Sequence, residues 1–300
     1  MTSSFTPLVS VVIPAHNAAD TLADCLRALK AQSLPHSACQ VVVVDDGSTD
    51  DSAAIAVREG VTVVRQAWQG APAARNAGIE SVDGEWVAFT DADCVPTRRW
   101  LETLLDAATV PGEVGCMGAA GPVYGLRSST PAARFVDLTG GLDSRRHLSH
   151  PRYPFALTGN VMYRRELLKA VEGFDTRYAT YDACDLHTRL SRRFPGYSFQ
   201  FLPRAVVFHR HRSTWAGYFR QQIGYGRGYA QFMLDYDGEL TWSVARELRE
   251  WASVLARAPG ALLPGRGEQG VLARGAFLRG LGQRIGFATT FWCRAERARW

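Results

Sequence analysis

Two acidic residues, Asp91 and Asp93, flank a single alanine directly after the apolar run WVAF at residues 86–89. Carboxylate oxygens are the ligands that Mg²⁺ and Mn²⁺ prefer, and such ions join an enzyme to the phosphates of a nucleotide. Acidic pairs of this spacing also occur by chance in polar loops, but a position at the end of a buried strand favours a functional role. We therefore predict that Asp91 and Asp93 bind a divalent metal, Mn²⁺ or Mg²⁺.

A second pair of acids, Asp45 and Asp46, ends the run QVVVV and precedes a helical pattern that begins near Asp51. A carboxylate at the end of a strand can accept hydrogen bonds from the base or the ribose of a nucleotide. The same residue types cap helices, and the two roles are compatible. We predict that Asp45 and Asp46 contact a nucleotide.

Two further groups of residues are expected beside these acids. The turn after the first strand contains Pro14, Ala15 and Asn17, and the segment GAPAARNAG contains Arg75 and Asn76. A guanidinium group suits contact with phosphate or ribose, although a solvated position on a helix is an equally good interpretation of Arg75. We include all five, together with Asp91, in the predicted nucleotide site.

The elements that position these residues alternate between short apolar runs and helical patterns. The first third of the chain reads LVSVVI, TLADCLRALKAQ, QVVVV, DSAAIAVRE, VTVVR, APAARNAGIESV and EWVAFT. This rhythm predicts an α/β fold with a mostly parallel sheet that helices cover on both faces. Parallel strands end at the same edge of a sheet, so the two acidic turns should converge on one cleft.

The rest of the chain is less regular. A polar stretch from about residue 126 to 153 has weak periodicity and is expected to form a long loop over the cleft. Beyond it, LTGNVMYRRELLKAVEGF predicts a strand and a helix, DACDLHTRLSRR a helix, and FQFLPRAVVFH one or two short strands. From Ser213 onward the sequence is rich in arginine and mostly helical.

Composition narrows the class of protein. The 300 residues, 46% of them hydrophobic, can form one large core or two small ones, and the net charge of +5 suits phosphates, anionic lipid or nucleic acid. No nucleic-acid-binding motif accompanies the charge, so we expect no nucleic acid partner. The first residues lack the basic region of a secretory signal, and no apolar run reaches the roughly 18 to 20 residues of a spanning helix. We expect a cytoplasmic protein, with peripheral contact to the inner face of the membrane as an alternative.

Four segments in order resemble the successive signatures of glycosyltransferase family 2: VSVVIPAHNAADTLADCLRAL, VVVVDDGSTDDS, GAPAARNAGIESVDGEWVAFTDADCVP and LTGNVMYRRELLKAVEGFD. The resemblance covers roughly residues 8–212. It implies the GT-A fold, a Rossmann-like sheet that binds a nucleoside-diphosphate sugar, and transfer that inverts the anomeric configuration. By the same resemblance, Ala15, Asn17 and Asp46 bind the nucleoside, while Asp91 and Asp93 bind the diphosphate through the metal.

Inversion by direct displacement needs a base that removes the proton from the acceptor hydroxyl. Family members usually show an acidic pair and then Asp-Leu at the start of a helix, whereas this chain reads YDACDL at residues 181–186. If Asp185 is aligned with the aspartate of that Asp-Leu, Ala183 occupies the usual base position. Asp182 is our first candidate for the base and Asp185 the second, with capping of the helix as the alternative role of both.

The resemblance suggests roles for four further residues. His209 and His211 follow the strand AVVF, and alternation would point them to the same face. Relatives place a metal-binding histidine near here, so we predict that one of them completes the metal site, with a solvent-facing strand end as the alternative. Gly159 and Asn160 are expected on the acceptor side of the cleft.

We expect three regions: residues 1–125 as the nucleotide-sugar-binding half, 126–212 as the acceptor-binding and catalytic half of the same domain, and 213–300 as a basic helical region. Amphipathic helices in the last region could lie on an anionic membrane, where a lipid-linked acceptor would be found, or pack on the domain. The segment RQQIGYGRG lacks the Q-x-x-R-W element of polymerising relatives. This difference favours a non-processive enzyme.

The favoured function is inverting, metal-dependent transfer of a sugar from a nucleoside-diphosphate sugar to a hydroxyl on a glycan, a lipid carrier or a small molecule. A nucleotidyltransferase is one alternative, but it would need a glycine-rich, basic phosphate loop after the first strand, and PAHNAAD is neither. The substitution at Ala183 prompts a second alternative, a sugar-nucleotide-binding protein without catalytic activity.

Overall fold

The structure is a computed structural model that describes residues 7–107, 115–126, 129–236, 243–262 and 267–297. The chain forms two compact units, each assembled from separate parts of the sequence. The first comprises the described residues up to Leu126 together with Leu142–Arg177 and Asp182–His209. The second comprises the described parts of Arg127–Gly141, Tyr178–Tyr181 and the chain from Arg210 onward. The three regions predicted from the sequence stay a prediction.

All strands of the described chain lie in the first unit: β1 (Val9–Ala15), β2 (Cys39–Asp46), β3 (Thr62–Gln66), β4 (Trp86–Phe89), β5 (Cys94–Pro96), β6 (Cys116–Ala120), β7 (Val123–Gly125), β8 (Val161–Arg164), β9 (Ser198–Phe201) and β10 (Val207–His209). Over these residues, seven strands form one sheet in the order β3-β2-β1-β4-β8-β6-β9. Every neighbouring pair is parallel except those that involve β8. The predicted mostly parallel sheet is confirmed.

The described helices of the first unit are α1 (Leu22–Lys30), α2 (Ser52–Arg58), α3 (Ala71–Glu80), α4 (Trp100–Asp106), α6 (Ser144–Leu148), α7 (Arg165–Ala170) and α8 (Asp182–Arg193). The described helices of the second unit are α5 (Pro131–Thr139), α9 (Trp215–Tyr236), α10 (Val244–Leu255), α11 (Ala258–Leu262) and α12 (Gly267–Arg297). A short 3-10 helix, His36–Ala38, precedes β2. The predicted helical C-terminal region is confirmed. Among the described residues, no helix has both the length and the hydropathy that crossing a membrane requires.

Helices cover both faces of the large sheet because successive residues of its strands point in opposite directions. In β2, Val43 joins the apolar cluster that includes residues of α1 and α4, while Val42 and Val44 join the cluster that includes residues of α3, α7 and α8. In β4, Trp86 joins the first of these clusters and Val87 joins the second. Burial on both faces explains why these strands read as continuous apolar runs.

A small second sheet brings a late segment of the chain to the acidic turn after β4. Within the described residues it contains three strands in the order β5-β10-β7. β10 is antiparallel to β5, and this pairing places His209 opposite Cys94. His209 therefore lies beside the turn that carries Asp91 and Asp93.

The predicted long loop over residues 126–153 is wrong, because two short helices lie within it. α5 has Pro131 in its first turn, where proline is favoured, and ends at Gly140, whose φ of +58° suits glycine. Asp143 caps the start of α6: its Oδ1 accepts hydrogen bonds from the backbone N–H groups of Arg145 and Arg146 at 3.0 and 3.3 Å. Capping residues define these helices, and apolar periodicity does not reveal them.

In the second unit, α9 and α12 pack closely through glycines. A Cβ atom on Gly226 would lie 2.1 Å from the carbonyl oxygen of Gln283, and one on Gly286 would lie 2.0 Å from that of Ile223. Any side chain at these two positions would push the helices apart. The glycines therefore determine how near the two backbones come to each other.

Candidate functional site

The carboxyl ends of β1, β2 and β4 lie next to one another at one edge of the large sheet. β1 pairs in parallel with β2 on one side and with β4 on the other, and Ala15 is paired with Asp45. Asp46 is the last residue of β2, and Asp91 lies two residues beyond the end of β4. The two acidic turns therefore meet at the same edge, as the sequence predicts.

The turn after β4 contains a group of side chains that could hold a metal ion. One ligand atom from each of Asp91, Asp93 and Cys94 lies within 4.8 Å of the others. Burial, together with both aspartates, raises the pKa of the Cys94 thiol, which disfavours the thiolate as a metal ligand. A Cβ on Gly159 would lie 3.2 Å from Asp91 Oδ2, so the glycine leaves space beside this carboxylate. This set of oxygen ligands fits Mn²⁺ or Mg²⁺.

The two histidines predicted as metal ligands fall in different units. His209 Nε2 lies 3.4 Å from Asp93 Oδ1, which places the imidazole next to the acidic group. His211 lies beyond the end of β10 and belongs to the second unit, where its Nε2 is 3.0 Å from Asp137 Oδ1. The contacts thus favour His209, while metal binding by either histidine stays a prediction.

Arg75 is buried and joins two parts of the predicted site. Its Nη2 donates to Asp91 Oδ1 at 2.9 Å, and its Nη1 donates to Asp182 Oδ2 at 2.7 Å. The guanidinium carbon also lies 5.6 Å from the centroid of the Phe174 ring. The buried Nε of Arg75 has no hydrogen-bond partner within the described part of the chain. The guanidinium group of Arg75 therefore links the turn that carries Asp91 and Asp93 to Asp182, the first residue of α8.

The two candidates for the base have different surroundings. Asp182 is 9% exposed, and burial raises the pKa of its carboxyl although Arg75 opposes the shift. Asp185 Oδ2 accepts hydrogen bonds from Nε and Nη2 of Arg189 at 2.9 and 2.7 Å. Arg189 also donates to the carbonyl oxygens of Val171 and Gly173. Asp185 thus holds a structural arginine, whereas Asp182 faces the same cation as Asp91.

Asp46 fixes the loop that follows β3. Its Oδ1 accepts from Gln66 Nε2 at 2.7 Å and from the backbone N–H of Gln69 at 2.8 Å, while its Oδ2 accepts from the N–H of Gly70 at 2.8 Å. The neighbouring Asp45 Oδ1 accepts from the N–H of Ser48 at 3.3 Å. Both acids shape the turns at this edge, and their contact with a nucleotide stays a prediction.

The turn after β1 is tied to the turn after β2 through Asn17, which has a φ of +49°. Asn17 Oδ1 accepts from the backbone N–H of Thr49 at 2.8 Å, and its own N–H donates to Ser48 Oγ at 3.0 Å. Pro14 and Ala15 precede it at the end of β1. The three predicted residues therefore lie together at the site edge.

Two aromatic residues at this edge, Trp68 and His16, are not among the predicted site residues. Trp68 lies in the loop that Asp46 holds and is 69% exposed. Its ring centroid is 6.4 Å from that of His16, which belongs to the turn after β1 and whose Nδ1 is 2.8 Å from the carbonyl oxygen of Asp46. A tryptophan two residues before Gly70, just beyond the apolar run of β3, is the sequence signal that could have indicated Trp68.

The side-chain amides of Asn160 and Asn76 hold distant segments of the backbone in place. Asn160 is fully buried; its Oδ1 accepts from Trp100 Nε1, and its Nδ2 donates to the carbonyl oxygens of Pro122 and Ala205. The preceding Gly159 accepts from Thr90 Oγ1 at 3.0 Å, which places its backbone beside the end of β4. Asn76 forms two hydrogen bonds with the backbone of Phe174. The predicted contacts of these three residues with substrate stay predictions.

Comparison with known proteins identifies the family to which this chain belongs. The family model described as Glycosyl transferase family 2 matches residues 10–172, which is more than half of the chain. The chain belongs to glycosyltransferase family 2. The resemblance predicted from the sequence is confirmed, and with it the expectation that this protein is a glycosyltransferase.

Similar proteins agree with the family. The glycosyltransferase AglE of Haloferax volcanii is 31% identical over 242 residues, which cover 78% of this chain and 77% of that protein. The pre-mycofactocin glycosyltransferase of Mycobacterium tuberculosis is 29% identical over 228 residues, which cover 73% of this chain and 46% of that protein. This glycosyltransferase is therefore similar to both over most of its own length.

Solved structures confirm the GT-A fold. The mannosyltransferase PcManGT from Pyrobaculum calidifontis, solved with GDP-Man and Mn²⁺, has a TM-score of 0.67 at 20% identity, with coverage of 96% of this glycosyltransferase and 88% of that chain. Glucosyl-3-phosphoglycerate synthase from Mycobacterium tuberculosis, solved with Mn²⁺, UDP and glucosyl-3-phosphoglycerate, has a TM-score of 0.53 at 21% identity. The match covers 76% of this chain and 79% of that one.

Proposed function

We propose that this glycosyltransferase transfers a sugar from a nucleoside-diphosphate sugar to an acceptor hydroxyl, with inversion of the anomeric configuration and with the help of a divalent metal. The observation that carries the proposal is the pair of hydrogen bonds from Arg75 to Asp91 and Asp182. They bring a metal-ligating candidate and a base candidate to one guanidinium group. A site for the leaving diphosphate and a site for proton removal are needed together in a direct displacement.

Asp91 and Asp93 are the residues that would hold the metal, with His209 beside Asp93. The ion supplies positive charge that stabilises the departing diphosphate. The solved relatives that contain Mn²⁺ with a sugar nucleotide or a nucleotide support this assignment.

Asp182 acts as the base in this proposal. Its carboxyl is buried, and Arg75 connects it to Asp91 in the acidic turn. Burial raises the pKa of Asp182, which makes the carboxylate a better proton acceptor than an exposed aspartate. Asp185 is less suited to the role, since Arg189 occupies its Oδ2 with two hydrogen bonds.

The nucleoside of the donor lies at the ends of β1 and β2 in the proposal. Pro14 and Ala15 lie at the end of β1 with Asn17 in the turn that follows, and Asp45 and Asp46 are the last two residues of β2. The exposed ring of Trp68 offers a face for stacking of the base. Gly159, which lies beside Asp91, is assigned to the side of the site that binds the acceptor.

The basic helices of the second unit support peripheral contact with an anionic membrane, where a lipid-linked acceptor would be available. In α10, Leu248 and Leu255 are 64% and 62% exposed, and Arg246 and Arg249 are also exposed. Exposed leucines beside arginines are typical of helices that lie in a membrane interface. The enzyme is non-processive in this proposal, because α9 lacks the Q-x-x-R-W element of polymerising relatives.

The test is turnover of sugar nucleotides by the full chain. UDP-, GDP- and dTDP-sugars are incubated with Mn²⁺, the release of nucleoside diphosphate is measured, and the configuration of the product is determined by NMR. We expect chelation of the metal or Asp93→Ala to reduce turnover by about 10²- to 10³-fold. Asp83→Ala, at an exposed position, is the matched control. Unchanged turnover in Asp93→Ala would defeat the metal assignment, and a retained configuration would defeat inversion.

A further inference from the structure

The second unit contains a cavity of about 210 Å³ between α10 and α12 that arginines dominate. Three guanidinium-bearing residues, Arg257, Arg279 and Arg284, line it together with one acid, Glu250. Three cations against one anion leave a formal charge of +2 on the charged lining residues, and Glu247, which pairs with Arg284, reduces the charge at the cavity to +1. A concave site of this charge favours an anionic group.

Neighbouring side chains hold two of these arginines in place. Arg284 Nη1 lies 3.3 Å from Glu247 Oε2, and its guanidinium carbon is 4.9 Å from the centroid of the Phe287 ring. The guanidinium carbon of Arg279 is 5.4 Å from the centroid of the Phe135 ring. Stacking on an aromatic face leaves the edge of a guanidinium group, with its N–H donors, available to a ligand. These arginines are therefore partly ordered before any ligand binds.

A second cavity, also of about 210 Å³, shares Gln283 and Arg284 with the first. Three tyrosines, Tyr181, Tyr225 and Tyr229, line it. The rings of Tyr181 and Tyr229 are 5.8 Å apart, and Tyr181 has a φ of +69°. Tyr181 is also joined by a peptide bond to Asp182. Aromatic walls with hydroxyl groups suit a ring that carries hydroxyl groups, such as a sugar.

We propose that the arginine cavity binds a phosphate group of the acceptor and that the adjoining tyrosine cavity binds its hydroxyl-bearing part. The inference rests on the proposed function, because that function requires an acceptor. Guanidinium groups bind phosphate through paired N–H donors, and an anion without hydrogen-bonding oxygens would not use this arrangement. The cavity is smaller than the roughly 300 to 1,000 Å³ of pockets that enclose a whole small molecule, so it accommodates one group of the acceptor.

A phosphate ester of this kind can come from a water-soluble molecule or from a lipid. Two binding measurements on the full chain in EDTA distinguish the sources, since removal of divalent metal suppresses binding of phosphate at the acidic turn. One is calorimetric titration with glycerol 3-phosphate. The other is flotation with vesicles of phosphatidylcholine that contain phosphatidic acid, compared with vesicles that contain the same fraction of phosphatidylserine.

The variants are Arg257→Gln and Arg279→Gln, with Arg274→Gln as the control. Arg274 is exposed, lies on α12 and does not line the cavity, so its replacement removes the same charge from the same helix. We expect each cavity variant to weaken binding of the phosphate probe by about tenfold, while Arg274→Gln binds like the native chain. Arg257→Lys keeps the charge and should retain an intermediate affinity. Thermal melting of each variant checks that it is folded.

The outcomes separate clearly. Weaker binding of glycerol 3-phosphate by the cavity variants supports a soluble acceptor. Weaker binding that is confined to phosphatidic acid vesicles supports a lipid acceptor. If neither probe distinguishes the cavity variants from Arg274→Gln, the proposal is overturned. Asp93→Ala keeps the cavity and should bind the phosphate probe normally. Loss of the proposed transfer reaction with intact, arginine-dependent phosphate binding would therefore point to an error in the proposed function and not in the cavity.

Discussion

Arg75 Nη1 lies 2.7 Å from Asp182 Oδ2, between residues that are 107 positions apart in the sequence. Both side chains are buried, at 7% and 12% exposure. Removal of one partner from a buried ion pair typically destabilises a protein by about 3 to 5 kcal/mol, because the other charge is left without compensation. The pair is therefore a means of keeping a charged carboxylate inside the protein, next to the acidic turn at Asp91.

Replacement of Asp182 by asparagine should abolish transfer, and the structure should be retained because Asp91 still compensates the charge of Arg75. The amide keeps the shape of the side chain and can still accept a hydrogen bond from Arg75, but it cannot take a proton. Turnover of the sugar nucleotide with its acceptor is the measurement. Asp185→Asn is the matched control and should reduce stability more than turnover, because Asp185 holds Arg189. Normal turnover in Asp182→Asn would exclude it as the base.

The pH dependence of kcat/KM should report the environment of Asp182. Burial places the pKa of its carboxyl above the ordinary value of about 3.9, so activity falls as the pH is lowered through that raised pKa. The Arg75 cation favours the carboxylate, so Arg75→Gln should raise the pKa further and move this fall to higher pH. Arg75→Lys keeps a charge and should move it less. A profile that stays in the same place in Arg75→Gln would contradict the assignment.

Asp46→Asn should weaken the loop between β3 and α3. Both oxygens of the Asp46 carboxylate accept hydrogen bonds from N–H groups, and an amide would turn an N–H₂ group toward one of these donors. We expect a loss of about 1 to 3 kcal/mol in the free energy of unfolding, measured by denaturant titration. Asp51→Asn, at an exposed position without a side-chain cap, is the control. Equal stability of the two variants would show that the loop does not depend on Asp46.

Trp68→Ala should weaken binding of nucleoside diphosphates without a loss of protein stability. The ring is 69% exposed, so its removal deletes little core, whereas stacking of a base on an aromatic face contributes about 1 to 3 kcal/mol. Calorimetric titration with UDP and GDP in Mn²⁺ should show affinity reduced by about tenfold or more. Trp68→Phe keeps an aromatic face and should retain most of the affinity. Equal affinity in the alanine variant would remove Trp68 from the site.

His187 should make the protein less stable in mild acid. Burial lowers the pKa of its imidazole from 6.5 to about 4. As the pH falls below 6.5, the unfolded chain binds a proton that the native chain does not, so stability falls until about pH 4, by roughly 3 kcal/mol in total. Denaturant titrations between pH 7 and pH 4 measure this loss. His187→Gln should flatten the dependence, and a curve of unchanged slope would contradict the prediction.

The sheet could be predicted because strands buried on both faces leave continuous apolar runs. Once the strands are known, parallel pairing alone brings the turns at Asp46 and Asp91 to one edge. The reversed direction of β8 and the two helices α5 and α6 could not be read in the same way. Their positions depend on pairing with distant strands and on capping residues, which leave no apolar period in the sequence.

The candidate site was predictable in part for the same reason. Residue types identified the acids, but their contacts depend on residues far away in the chain. The sequence does not show that Asp46 accepts hydrogen bonds from the loop after β3, or that Arg75 reaches Asp182. It also does not reveal that Trp68 comes near His16. These relationships arise only when separate strand ends are brought together.

The reversed direction of β8 has a consequence for how such an enzyme can diversify. Because β8 is antiparallel to β4, the chain enters the sheet at the edge where β4 leaves it, and Gly159 lies just before that entry. The preceding connection from β7 contains α5, which belongs to the second unit. Insertions directly before Gly159, in the part of this connection that belongs to the first unit, would change the surroundings of this glycine while the order and register of the strands stay the same. With Gly159 on the acceptor side, as we propose, preference for a new acceptor would arise without any rearrangement of the residues proposed to hold the donor.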